Sequence, residues 1–143
     1  MSSADSGTPS DGGVLEHVTL TVTDLAAALD FYDAALGALG LVRLDELRDE
    51  EEDDAAVEAV AWGPPDGRSV LWVVAGPAPT AGVHLSLHTD SQAQVETFVR
   101  AAVAHGGELH SAPRRWTLYR RGRFGAMVAD PSGNLVEATA DEA

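Results

Sequence analysis

Two histidines and one glutamate are the residues of this sequence whose types and positions could bind a metal ion. His17 and His84 each stand at the start of a segment in which polar and apolar residues alternate, HVTLTV and HLSLHT. Glu137 lies in the segment NLVEATA among apolar and small residues, where a buried carboxylate needs a partner. Two imidazoles and a carboxylate can hold a divalent ion and leave positions open for water or substrate. The three residues therefore predict a divalent metal site, and their types suit Fe, Mn, Zn or Ni without selecting one.

An internal repeat supports this prediction, since a single strand histidine more commonly makes a structural hydrogen bond. Residues 17–40 align without a gap with residues 84–107, and 7 of the 24 positions are identical. The alignment pairs His17 with His84, and it also matches a phenylalanine and a terminal glycine. Each copy has the pattern of an alternating strand, a turn and an amphipathic helix. The two histidines therefore occupy equivalent positions.

The segments after each helix complete two similar modules. Strand-like runs follow both helices, and the turn signals PDG at 65–67 and PSG at 131–133 precede the last run of each half. The sequence therefore predicts an α+β fold of two tandem βαβββ modules. We expect a loose tail over residues 1–13, the first module over 14–75, a linker over 76–82 and the second module over 83–140.

Strand geometry predicts which side chains share a face with the histidines. Alternate residues of a strand point to opposite sides of the sheet. The apolar residues of both first strands should pack on the helices, which leaves His17 on the opposite face in one copy and His84 and His88 in the other. His88 is thus an alternative ligand or a residue beside the ligands. His105 and His110 are interpreted as helix-end and surface residues.

Charge and composition exclude several classes of function. The net charge of -14 disfavours nucleic acid and anionic membranes as partners. Cysteine is absent, which excludes disulfides and thiol chemistry. No apolar run is long enough to span a membrane, and residues 1–13 contain no secretory hydrophobic segment, so we expect a cytoplasmic protein.

Two charged runs stand out within this acidic chain. Residues 45–54 carry eight acids and one arginine, and they predict a solvated loop, with binding of a cationic ligand as the alternative. Residues 114–123 hold five of the nine basic residues, all of them arginine. That run is interpreted as a solvated loop and strand edge, or as a means of guiding an anionic small molecule toward a pocket.

Three segments of the sequence resemble the vicinal oxygen chelate superfamily, which includes glyoxalase I, bleomycin- and fosfomycin-resistance proteins and extradiol dioxygenases. They are EHVTLTVTDLAAALDFYDAALGALGL, VHLSLHTDSQAQVETFVRAAVAHGG and the closing RFGAMVADPSGNLVEA. The resemblance implies paired βαβββ modules whose curved mixed sheets surround a cleft, usually completed by homodimerisation. It also implies metal ligands on the first and last strands, which are His17, His84 and Glu137 here.

The sequence departs from the glyoxalase I pattern at the fourth ligand, a glutamate in that pattern. This position falls on Leu71 when the turn glycines are aligned, or on Trp72 if the register differs by one residue, and neither side chain can bind a metal. The resemblance also places Tyr119 beside the substrate, as a hydrogen-bond donor or acid. Tyr119 and His88 are therefore the candidate catalytic residues.

Two hypotheses for function follow. The first is a metal-dependent enzyme, of lyase, dioxygenase or transferase type, whose small-molecule substrate chelates the ion through adjacent oxygens. The second is a metal-free protein of the bleomycin-binding type, which sequesters a drug or metabolite between two copies of the chain. A partner-binding domain without a metal is a further alternative.

Overall fold

The computed structural model describes residues 14–48, 57–116 and 123–141, and these form the two βαβββ modules that the sequence predicts. The first module comprises β1 (Val18–Val22), α1 (Leu25–Gly37), β2 (Val42–Arg48), β3 (Val57–Gly63) and β4 (Leu71–Ala75); the second comprises β5 (His84–Thr89), α2 (Gln92–Ala104), β6 (Glu108–Trp116), β7 (Arg123–Ala129) and β8 (Leu135–Asp141). The predicted α+β fold class is confirmed. The tail predicted over residues 1–13 lies outside the described residues.

Each module forms one four-stranded mixed sheet. The strand order is β1-β4-β3-β2 in the first sheet and β5-β8-β7-β6 in the second. The first and last strands of each module pair in parallel, and the other neighbours pair antiparallel. This topology places the predicted ligands His84 and Glu137 on neighbouring strands of one sheet.

The two helices begin at equivalent positions of the repeat, because each has a side chain that caps its first turn. The Asp24 carboxylate accepts a 3.0 Å hydrogen bond from the N–H of Ala27. The Ser91 hydroxyl accepts one of 3.2 Å from the N–H of Gln94 and so caps α2. Within the described ranges, neither helix has the length and apolar character needed to cross a membrane.

A single hydrophobic core is shared by the two modules. The helices contact each other, and Phe31 of α1 and Phe98 of α2, which the repeat aligns, are both fully buried. Leu20 and Val22 of β1 also face this core, as the alternation predicts. Because the helices cover one face of each sheet, the opposite face, which we call the open face, carries the histidines.

The acidic run differs in part from its predicted loop structure. Residues 45–48 continue β2, where Asp45 pairs with Ala61 and Glu46 with Val60 of β3. The backbone hydrogen bonds of this edge strand hold the segment extended while its charged side chains face water. The remainder of the run, residues 49–54, lies outside the described residues.

Candidate metal and ligand site

His84 and Glu137 meet on the open face of the second sheet. Ser86 of β5 lies directly opposite Glu137 of β8, so His84 is the diagonal neighbour of this carboxylate. The distance from His84 Nε2 to Glu137 Oε1 is 2.9 Å. Only 13% of the Glu137 side chain is exposed, against 47% for His84. The structure thus brings together two of the three predicted ligands and gives the largely buried carboxylate its partner.

The spacing of this pair suits two ligands of one divalent ion. Two ligand atoms at right angles, each about 2.1 Å from an ion, are about 3.0 Å apart. An imidazole nitrogen and a carboxylate oxygen are ligands that Fe, Mn, Zn and Ni accept. The Nε2–H group of His84 is the donor in this hydrogen bond, because a carboxylate accepts. A bound ion would take the place of that proton. His84 and Glu137 therefore fit two positions of a metal site.

His17 lies just before the first strand of the first sheet. Within one chain it is not close to the His84–Glu137 pair. It precedes β1, is exposed, and its ring stands edge-on to the Trp72 indole with centroids 6.5 Å apart. In residues 14–48, 57–116 and 123–141, no three side chains of His, Cys, Asp or Glu come close enough to hold a metal. The described part of a single chain thus supplies two of the predicted ligands at one place.

The residue equivalent to Glu137 in the first module is Trp72. Thr19 lies opposite Trp72, as Ser86 lies opposite Glu137 in the second module. The alignment to Leu71 is therefore wrong, because one additional residue separates the turn from the last strand in the first module. Leu71 faces the core instead.

The open face of the first sheet is apolar around Trp72. Val74 lies on the same face of β4, and the neighbouring residues of β3 are Ala61, opposite Trp72, and Ala59, opposite Val74. The two open faces therefore differ: the first offers an apolar aromatic surface beside His17, and the second offers the His84–Glu137 pair.

His88 belongs to a second polar cluster on the open face of the second sheet. Nη1 of Arg123 lies 3.2 Å from His88 Nδ1 and donates a 3.1 Å hydrogen bond to the hydroxyl of Thr139. A guanidinium can only donate, so His88 Nδ1 is the acceptor and the ring proton lies on Nε2. Nε of Arg123 also lies 3.4 Å from Asp141. His88 thus contacts Arg123 rather than the predicted ligands, with its Nε2–H as a hydrogen-bond donor.

The remaining sequence-predicted residues have simpler outcomes. Tyr119 lies outside the described residues, so its catalytic role stays a prediction. His105 and His110 are exposed, as predicted, and His105 Nδ1 lies 2.9 Å from Asp30 at the helix surface. Residue type and spacing do not distinguish Thr139, and they mark Arg123 as one member of the basic run. Their association depends on the register of β7 with β8, which no local pattern reveals.

Comparison with solved structures supports the same fold. The chain is similar to a glyoxalase/bleomycin resistance protein from Albidiferax ferrireducens T118, with 25% identity, a TM-score of 0.67, and coverage of 87% of this chain and 96% of that one. A glyoxalase/dioxygenase from Nostoc punctiforme matches at 20% identity and a TM-score of 0.62, over 99% of this chain and 100% of its own. Lactoylglutathione lyase from Agrobacterium tumefaciens matches at 21% identity and a TM-score of 0.60, over 89% and 92%.

Comparison with curated proteins gives no match. A sequence model of the Glyoxalase/Bleomycin resistance protein/Dioxygenase superfamily matches residues 14–138, which include the first module, the second module as far as Ala138, and all three predicted ligands. The chain therefore belongs to the Glyoxalase/Bleomycin resistance protein/Dioxygenase superfamily.

Proposed function

We propose that this chain is a metal-dependent enzyme acting on a small molecule that chelates the ion through two adjacent oxygens. The observation that carries the proposal is the His84–Glu137 pair, with ligand-type atoms 2.9 Å apart on an open sheet face. Such a pair can hold an ion while leaving coordination positions for a substrate. Trp72 at the position of a fourth ligand argues against the glyoxalase I pattern and favours a three-ligand site.

The third ligand in this proposal is His17 from a second copy of the chain. His17 is exposed at the edge of the first open face, and the described part of its own chain provides no third ligand beside His84 and Glu137. In a twofold-symmetric pair of chains, the open face of the first sheet of each copy can contact the open face of the second sheet of the other copy. This arrangement occurs twice in the dimer. The active form is therefore a homodimer with two composite sites.

The chain's own residues have distinct roles in such a site. A bound divalent ion supplies Lewis-acid stabilisation of negative charge on a chelated oxygen. His84, Glu137 and His17 hold the ion, while the Nε2–H of His88 donates to a substrate oxygen farther along the second sheet. Trp72 covers an apolar part of the substrate, and Tyr119 is the candidate acid.

Metal content tests this proposal. Untagged full-length protein, purified without chelator, should contain Fe, Mn, Zn or Ni in near-stoichiometric amount by mass spectrometry. The variants His17→Ala, His84→Ala and Glu137→Gln should each lose it, whereas His110→Ala, an exposed histidine away from the pair, should retain it. A wild-type protein that is empty and takes up no added divalent ion at micromolar concentration would overturn the proposal.

One observation favours the sequestering alternative. The open face around Trp72 carries the apolar side chains of Val74, Ala59 and Ala61, which suits a planar drug or metabolite held without chemistry. In that case a ligand would quench the fluorescence of Trp72 equally in wild type and in Glu137→Gln. Such a result, together with absent metal uptake, would establish binding in place of catalysis.

A further inference from the structure

The second polar cluster holds the cationic side chain of Arg123 on the open face of the second sheet. Thr139 accepts from Arg123, and its own hydroxyl proton remains available to donate. His88 accepts from the same guanidinium and keeps its Nε2–H as a donor. Arg123 itself is 20% exposed, so its charge lies at the surface of the open face. His88 and Thr139 therefore hold the Nη1 side of a cationic guanidinium on the open face.

The acid beside this cluster does not neutralise it firmly. Asp141 is the acidic partner of Arg123, at 3.4 Å, and 72% of its side chain is exposed. Because most of the Asp141 side chain is in water, its carboxylate can turn away and leave its place to another anion. The backbone register also places Arg114 on this face, since Arg114 pairs with Gly125, which in turn pairs with Thr139. The face thus combines two arginine positions in a strongly acidic chain.

The second polar cluster lies next to the candidate metal site along β8. Thr139 is two residues beyond Glu137 on β8 and on the same face. Two residues of a strand span about 7 Å. A molecule that places one end against His84 and Glu137 can therefore reach Arg123 with its other end.

We propose that Arg123, His88 and Thr139 form an anion subsite for a carboxylate or phosphate group of the small-molecule ligand. The inference rests on the proposed function for what occupies the ligand's other end. The guanidinium provides the charge and the forked geometry that match a carboxylate or phosphate. His88 and Thr139 accept from Nη1 of this guanidinium and so fix its orientation toward the anion. The ligand is thus an anion at one end and a pair of adjacent oxygens at the other.

The test uses simple anions and metal-free protein, so it does not depend on the metal site. Benzoate and inorganic phosphate are titrated separately into the chelator-treated full chain, and binding is followed through the backbone N–H resonance of Gly125, which lies opposite Thr139 and is retained in every variant. Wild type should show saturable shifts, and Arg123→Gln should weaken binding at least about tenfold. Arg100→Gln, which removes an exposed arginine from α2, should bind as wild type does. The tighter of the two anions identifies the group as carboxylate or phosphate.

A second variant guards against a folding defect in the first. Thr139→Val keeps the size of the side chain and removes an acceptor that holds the Arg123 guanidinium in place, so it should weaken anion binding several-fold. No saturation in wild type up to about 50 mM, or equal binding by wild type and Arg123→Gln, would overturn the subsite. Saturable anion binding in a protein that takes up no metal would remove the proposed enzyme function and leave the subsite standing.

Discussion

The hydroxyl of Tyr32 in helix α1 donates a 2.6 Å hydrogen bond to Asp130, the residue that follows β7 in the other module. Asp130 also accepts bonds from the backbone N–H groups of Ser132 and Asn134. One buried carboxylate therefore connects the first helix to the turn that leads into β8. Since β8 carries Glu137, this bond helps to set the position of the candidate ligand.

Tyr32→Phe should lower the free energy of unfolding by about 1–3 kcal/mol, because it leaves the Asp130 carboxylate with one donor fewer in a buried place. The ring contacts with Phe31 and Trp62 are retained in this variant. Equilibrium urea unfolding measures the loss. Ser69→Ala removes a hydroxyl that donates to the exposed Asp45, and it should change stability much less. Equal losses of unfolding free energy in the two variants would show that burial does not increase the contribution of the Tyr32–Asp130 hydrogen bond.

The same bond predicts a loss of stability in alkaline solution. Burial of Tyr32, followed by the charge of Asp130 and the hydrogen bond to it, raises the pKa of the Tyr32 hydroxyl well above its ordinary value. The unfolded chain releases this proton near pH 10, roughly the ordinary tyrosine pKa, whereas the folded chain retains it. The contribution is therefore complete below about pH 10 and decreases as the pH rises further. Tyr32→Phe should unfold with a shallower dependence on pH than wild type between about pH 9 and 11.

Gly107 and Gly37 should respond oppositely to substitution by alanine. A Cβ at Gly107 would lie 2.6 Å from both Phe31 Cε1 and Val128 Cγ1, where the two modules meet. Gly107→Ala should therefore destabilise the protein by about 1–3 kcal/mol through overpacking. Gly37 has no atom within 4 Å of such a Cβ and is the last residue of α1. Gly37→Ala should be neutral or stabilising in thermal unfolding, and a matching loss at both positions would refute the packing argument.

The elements of the fold were predictable because their signals are local. Alternation of polar and apolar residues after His17 and after His84 predicts the first strands. Asp24 and Ser91 are N-cap residues and fix where each helix begins. The pairing of His84 with Glu137 agrees with the family resemblance, which implies metal ligands on the first and last strands of the modules. Local periodicity and the repeat predict the elements, and the resemblance adds one half of the candidate site.

The remaining features of the candidate site depend on segment length, module packing and strand register, which periodicity does not encode. Leu71 and Trp72 are both apolar, so alternation cannot tell which of them faces the core. The length of the segment between turn and strand decides it, and that length differs between the modules. Likewise, the position of His17 relative to His84 depends on how the modules pack. The contacts of Arg123 depend on the register of β7 with β8.

Mixing two metal-deficient variants tests whether His17 comes from a second copy. In a mixed dimer, the Glu137→Gln chain still carries His17, and the His17→Ala chain still carries His84 and Glu137. One composite site therefore receives all three ligands and is intact. Random exchange makes about half of the dimers mixed, with one intact site of two, so metal uptake should recover to about one quarter of the wild-type value.

The matched control is a mixture of His84→Ala and Glu137→Gln chains. Both changes affect the same half of the composite site, so every site in every dimer lacks one ligand and no metal should be recovered. Metal uptake is measured after the two chains are unfolded and refolded together, with each variant refolded alone as reference. If all three ligands came from one chain, the first mixture would also recover nothing, because no chain in it carries an intact set. Recovery in the first mixture and not in the second therefore places His17 across the dimer from His84 and Glu137.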